Sequence, residues 1–241
     1  MSNKTRLDVL LVEQGLVESR QKAQAVIMAG SVFVDGQRVD KPGTAVPNTA
    51  AIQVRGHALP YVSRGGLKLE KAMQTFPLTL DGKVCADIGA STGGFTDCML
   101  QHGAAKVWAV DVGRDQLDES LRRDPRVVSM EQTDIRTADL PQVDFIGTDV
   151  SFISLKLILP HIYRLLKSGG RAAVLIKPQF EAGRSNLSKK GIVRDEKVRL
   201  RIRDEIAEFA QGCGFSVIGT ETSPITGGDG NTEYLMCLEK R

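Results

Sequence analysis

The chain has 241 residues, enough for one large domain or two unequal ones, and its 41% hydrophobic and 25% charged residues exclude a disordered or fibrous protein. No uncharged apolar run approaches the ~18 residues of a membrane span. The opening Met-Ser-Asn-Lys-Thr-Arg-Leu-Asp lacks the apolar core of a secretion signal, so a cytoplasmic protein without a membrane segment is expected. A net charge of +3 is too small to argue for a polyanionic partner by its total, so its distribution matters.

Leu7, Leu10 and Leu11, followed by Gly15, predict a short amphipathic helix with a glycine stop. Ser19 caps a second helix over 20–29, which Gly30 ends. Strands over 31–34 and 37–39 flank Asp35-Gly36, a dipeptide suited to a tight hairpin because glycine accepts positive φ. Lys41-Pro42-Gly43 forms a loop, residues 51–55 a last short strand, and His57-Ala58-Leu59-Pro60 a linker.

From residue 61 the pattern alternates strands with helices, which predicts a doubly wound α/β domain, Rossmann-like, with a mostly parallel sheet. Leu69, Ala72, Met73 and Phe76 mark a helix, and 83–88 a buried strand. A helix from about Thr96, a strand over 106–111, a helix around 115–122 and strands over 127–131 and 144–150 follow. A long helix is expected over 155–167, ended by Gly169-Gly170. The chain then gives an apolar strand at 171–177, a helix at 196–211 and an antiparallel pair at 215–222 and 232–239.

The four cysteines, Cys85, Cys98, Cys213 and Cys237, contain no Cys-x-x-Cys, and the three histidines are isolated, so no metal site is expected. Residues 184–203 carry eight basic side chains against Asp195 and Glu196, or +6 in twenty positions. Such a run reads either as a solvated face or as contact with nucleic acid, and Arg184, Lys189, Lys190 and Arg194 are its candidates for RNA phosphates.

The first strand of the α/β region runs into Asp87-Ile88-Gly89-Ala90-Ser91-Thr92-Gly93-Gly94-Phe95. A glycine-rich turn from strand to helix lets backbone N–H groups approach a polar cofactor closely. Gly89 and Gly94 fit the ends of a dinucleotide fingerprint, and Asp111 has the spacing of a ribose-binding acid, but Ser91 stands where the middle glycine belongs. S-adenosylmethionine fits better. Asp87 would face its methionine ammonium, Asp111 its ribose hydroxyls and Asp134, at the end of the third strand, its adenine amino group. The sequences Thr148-Asp149-Val150-Ser151-Phe152-Ile153-Ser154 and Lys177-Pro178-Gln179-Phe180-Glu181 follow two further strands. In an open parallel sheet their ends share one crevice with Gly89.

The helix-helix-hairpin order, with Arg-Leu-Asp, Gly-Leu-Val, Ser-Arg, Gly-Ser-Val and Val-Asp-Gly at these spacings, resembles the alpha-L RNA-binding motif of the fourth small-subunit ribosomal protein over nearly all of residues 5–55. The resemblance implies RNA binding on Arg6, Arg20, Lys22, Arg38 and Lys41. Taken alone, Ser19, Gly30 and Gly36 are caps and turns of any fold.

The whole chain resembles the TlyA family, which joins an alpha-L motif to an FtsJ-like (RrmJ-type) methyltransferase domain. The resemblance rests on Ser-Arg-Gly-Gly-Leu-Lys-Leu from Ser63, the glycine-rich loop, Asp-Val-Ser-Phe-Ile-Ser and Lys-Pro-Gln-Phe-Glu, in undisturbed order. It implies an RNA-binding domain over 1–59, a linker over 60–63 and a methyltransferase domain over 64–241. It implies methyl transfer to a 2′-hydroxyl of ribosomal RNA, a cytidine's, with rRNA or a ribosomal subunit as partner and neither DNA nor membrane. The family's Lys-Asp-Lys-Glu tetrad falls on Lys68, Asp149, Lys177 and Glu233, with Lys177 as the base, and Arg64 joins the RNA-binding set. The alternatives are a dinucleotide-dependent oxidoreductase, an RNA-binding assembly factor with a vestigial cofactor site, and a membrane-lytic protein, since many members carry a haemolysin label.

Overall fold

The computed structural model describes residues 4–28, 30–54, 59–227 and 230–241, and the chain forms two compact units whose boundary in sequence falls between Arg64 and Gly65. Ala29, Arg55, His57 and Ala58 lie outside the described residues, so the last residue of the second helix, the end of the last short strand and half of the expected linker do too.

The first unit runs β1 (Lys4–Arg6), α1 (Leu7–Glu13), α2 (Arg20–Met28), β2 (Val32–Val34), β3 (Gln37–Arg38), β4 (Ala45–Pro47) and β5 (Ile52–Val54). Leu7, Leu10 and Leu11 of α1 meet Ala23 and Ile27 of α2 and Val32, Val34 and Val46 in one apolar core. Each large side chain buried there contributes about 1.5–3 kcal/mol. Ser19 Oγ accepts from Lys22 N at 3.2 Å, which is the expected helix cap. The hairpin β2–β3 turns at Asp35 and Gly36, both at positive φ (49° and 79°), and β2 is the centre of an antiparallel sheet ordered β3-β2-β5. The β1–β4 ribbon, with Thr5 opposite Val46, was not legible in the sequence, because three-residue strands show no periodicity.

The second unit begins with α3 (Gly65–Thr75) and β6 (Val84–Ile88), followed by α4 (Gly94–Gln101), β7 (Lys106–Val110), α5 (Glu119–Arg122), β8 (Val127–Met130), β9 (Val143–Thr148) and α6 (Leu159–Leu165). It closes with β10 (Leu166–Ile176), α7 (Pro178–Glu181), α8 (Glu196–Gly212), β11 (Phe215–Thr222) and β12 (Tyr234–Lys240). The seven strands form one sheet ordered β11-β12-β10-β9-β6-β7-β8. The pairs from β10 to β8 are parallel, and β12 is antiparallel to both β10 and β11. Ile88, Ile146, Val174 and Met236 of the sheet pack with Leu159 and Ile162 of α6 and Ile202 and Ile206 of α8.

Two expected helices differ. The segment over 155–167 is a 3-10 turn at Leu155–Leu157, then α6, and Leu166 already pairs with Val143. Pro160 explains the break: it has no N–H to donate and stands in the first turn of α6, so no helix passes through it. The helix around 115–122 shrinks to α5, capped by Asp118, which accepts from Ser120 N. Residues 115–117 instead donate their backbone N–H groups to the Glu131 carboxylate at 2.8–3.1 Å.

Candidate active site

The chain moves from β6 through β7 to β8 on one side and through β9 to β10 on the other, so the strand order reverses between β6 and β9. Crevices at such a reversal, beyond the carboxyl ends of the strands, are where open α/β sheets hold ligands. Gly89 follows β6 with φ +82°, and a Cβ there would stand 3.0 Å from the Asp149 carbonyl oxygen. Only glycine lets the two strand-end loops approach this closely. Gly93, at φ +96°, caps α4, and a Cβ there would strike Leu121 and Leu117.

Asp87 sits inside β6 and is completely buried. Its Oδ2 accepts from Thr96 N at 2.9 Å and Thr96 Oγ1 at 2.7 Å, while Oδ1 has no partner among the described residues. Burial pushes its carboxyl up to about 7, against the two Thr96 bonds and with the charges of Asp149 and Asp111 adding to the rise. An orphaned, buried carboxylate oxygen beside a glycine loop fits a cationic group of a ligand. Asp111 follows β7, and its carboxylate accepts from Ser91 N at 2.8 Å and Gly113 N at 2.7 Å, so it ties the glycine loop to the next strand end. Asp134 lies four residues past β8 rather than at its end. Arg136 occupies both of its oxygens through backbone and side chain, and the guanidinium bonds hold its carboxyl down at about 2.

Four charged side chains converge across the crevice. Lys68 comes from the first turn of α3, Asp149 follows β9, Lys177 follows β10, and Glu233 precedes β12. The antiparallel register that pairs Ile176 with Tyr234 brings Glu233 to the same edge of the sheet as Lys177. Lys68 Nζ is 3.0 Å from Asp149 Oδ2 and 2.9 Å from Glu233 Oε2, and Lys177 Nζ is 2.6 Å from Asp149 Oδ1. Lys177 Nζ also donates to Ser151 Oγ at 2.8 Å. Lys68, Lys177 and Glu233 are buried. Burial draws the Lys68 ammonium down, but the Asp149 and Glu233 carboxylates outweigh it and its pKa is raised. Asp149 shows the same balance: burial pushes it up, and the two lysines bring it below the ordinary carboxylate value.

Around this cluster stand residues the sequence reading passed over. Ser151 is one. Phe152 exposes 91% of its surface at φ +64°, its ring centroid 5.0 Å from that of Phe180. Asn231, buried, accepts from Val193 N and donates to Gly191 O, both at 3.1 Å, which pins the basic turn at 189–190 to the segment carrying Glu233. Each lay inside or beside a charged motif, but a serine, a phenylalanine or an asparagine in a loop carries no signal until its partners are known.

The expected RNA-binding residues divide in two. In the first unit, Arg6 Nε and Arg20 Nε donate to the fully buried Asp8 carboxylate at 2.9 and 3.0 Å, while about half of each arginine side chain stays exposed. Lys22 pairs with Glu18, and Arg64 donates to Met28 O at 3.3 Å. Arg38 and Lys41 are exposed and form no ion pair among the described residues, and the same holds for Arg184, Lys189, Lys190 and Arg194 in the second unit.

Comparison with known proteins bears on both units. The pattern of FtsJ-like methyltransferases matches residues 61–240, and that of the S4 domain matches residues 5–49. The chain is 52% identical to a Bacillus subtilis protein with the provisional name rRNA methyltransferase YqxC, over 98% of this chain and 86% of that one. It is 42% identical to the 16S/23S rRNA (cytidine-2'-O)-methyltransferase TlyA of Mycobacterium tuberculosis, over 99% and 91% of the two chains. A solved Streptococcus thermophilus protein, provisionally named a hemolysin, superposes with a TM-score of 0.78 at 48% identity, covering all of this chain and 90% of that one.

Proposed function

The chain belongs to the TlyA family of FtsJ-like methyltransferases, and on that premise we propose that its switch-point crevice moves a methyl group from S-adenosylmethionine to a cytidine 2′-hydroxyl of ribosomal RNA. The observation that carries this reading is the chain of ion pairs from Glu233 through Lys68 and Asp149 to Lys177, beside the Gly89 loop.

Bound in the crevice, S-adenosylmethionine supplies an electrophilic methyl on a sulfonium sulfur. The residues that would hold it are the Gly89-to-Phe95 loop, the unpartnered Asp87 Oδ1 for its ammonium, and Asp111 for its ribose hydroxyls. Asp134 is the weakest claimant, because it lies four residues past β8 and the Arg136 guanidinium already pairs with its carboxylate, whereas each Asp111 oxygen accepts a single backbone N–H.

The chain's own task is to align a ribose hydroxyl and take its proton. The two lysines are not equivalent. Lys68 lies between two carboxylates and stays an ammonium, which fixes Asp149 and Glu233 around the ribose. Lys177 contacts one carboxylate and one hydroxyl, and its Nζ is the atom assigned to accept the 2′-hydroxyl proton. Phe152, three residues after Asp149, offers an exposed ring on which an unstacked base can lie. Arg6, Arg20, Lys22, Arg38, Lys41 and Arg64 of the S4-type unit, with Arg184, Lys189, Lys190 and Arg194, would hold RNA phosphates.

Mapping 2′-O-methylation in rRNA from cells with and without the gene tests the reading. One or more methylated cytidines should vanish in the deletion strain and return with the wild-type gene. An identical map in both strains would refute it.

A further inference from the structure

Glu181 ends the four-residue helix α7, which starts directly after Lys177. Its Oε2 accepts from Ser154 Oγ at 2.6 Å, and its Oε1 accepts from Leu155 N at 2.7 Å. Ser154 Oγ in turn accepts from Lys156 N at 3.2 Å and caps the 3-10 turn at Leu155–Leu157. The loop after β9 is thus gripped twice by one short segment. Lys177 holds its near end through Asp149 Oδ1 and Ser151 Oγ, and Glu181 holds its far end.

Between those grips lies Phe152, at a positive φ that a bulky side chain adopts only when its surroundings impose it. Released at Ser154 and Leu155, the loop would relax toward ordinary φ. Asp149 and Ser151 would then shift against Lys177.

We propose that Glu181 is a positioning residue for methyl transfer, locking the loop after β9 onto the turn after β10 so that Asp149 and Ser151 keep Lys177 aimed at the ribose hydroxyl. The inference rests on the function proposed above. Glu181 touches neither cofactor nor ribose in this account and acts through three residues that bracket the reacting atoms. A displacement of about an ångström at reacting groups costs on the order of a hundredfold in rate, so the loss should fall on the chemical step.

The test is single-turnover methyl transfer with full-length protein, rRNA and S-adenosylmethionine, all at saturation. Glu181→Ala should slow transfer at least tenfold while the Kd values for cofactor and RNA stay within twofold of wild type. Glu181→Gln, which keeps an acceptor for Leu155 N, should recover most of the rate. On a Ser151→Ala background, Glu181→Ala should cost much less than it does alone, because both changes release the same loop. Should Glu181→Ala lose its fold, Ser154→Ala, which removes one of the two bonds, should show a several-fold lower rate at unchanged binding. A wild-type rate in either variant, or slow transfer explained by weaker cofactor or RNA binding, would overturn the role of Glu181. A wild-type protein that leaves rRNA unmethylated would overturn both this role and the function it serves.

Discussion

Asp87 is the residue whose environment makes the sharpest demand. An unfolded chain ionises it near pH 3.9, whereas the folded protein keeps its proton up to about 7 because the site is closed to water. Between these values the folded state binds more protons, so stability falls as pH rises through the window and levels off above about 7. The effect is on the order of a few kcal/mol, and Asp87→Asn should flatten the slope. A cation delivered to Oδ1 favours the carboxylate, so cofactor binding near pH 7 should release protons. Calorimetry in two buffers of different ionisation heat reads that release, and its absence in wild type would detach Asp87 from the cofactor. Asp111 joins Ser91 and Gly113 as well as its proposed ligand, and hydrogen bonds to a charged group are worth about 1.5–3 kcal/mol each. Asp111→Ala should therefore weaken S-adenosylmethionine binding at least tenfold, measured by titration, and an unchanged affinity would contradict the assignment. The placement of Asp87 and Asp111 beside the glycine loop was legible, because one lies in the strand that runs into that loop and the other follows the next strand. The Arg136 clamp on Asp134 was not, since a pair two residues apart depends on a local turn.

At the scale of elements, the structure separates a basic run that reads as uniform in sequence. On α8, Arg199 donates to the Val193 and Arg194 carbonyls, Arg201 pairs with Glu205 and Arg203 with Asp204. The half at 184–194 keeps four unpaired cations among the described residues, two of them on a turn that Asn231 holds. Lys189→Ala with Lys190→Ala should weaken rRNA binding and lower its salt slope by about 0.7–0.9 per lost phosphate contact. Arg201→Ala with Arg203→Ala should leave that slope unchanged. The reverse pattern in filter binding across salt concentrations would move the RNA path to α8. The parallel strands were readable from their apolar runs, and Gly89 from its place between strand and helix. The short ribbon β1–β4 was not, because it is decided by tertiary pairing rather than by local periodicity, whereas the break in the helix expected over 155–167 is signalled locally by Pro160.

For the whole molecule, the division into an S4-type unit and a methyltransferase unit implies a division of labour. A protein lacking residues 1–59 should bind S-adenosylmethionine normally and fail to methylate rRNA, and full activity in that truncation would remove the first unit from substrate recognition. In the proposed function the step that both units would serve is proton removal at Lys177 Nζ, which Asp149 and Ser151 hold. The measurement that bears on it most directly is single-turnover methyl transfer to rRNA by wild type and Lys177→Ala at saturating substrates. Lys177→Ala should bind both substrates with wild-type affinity yet transfer no methyl. Near-normal transfer by Lys177→Ala with chemistry limiting would contradict the role of Lys177 and leave the proton to water.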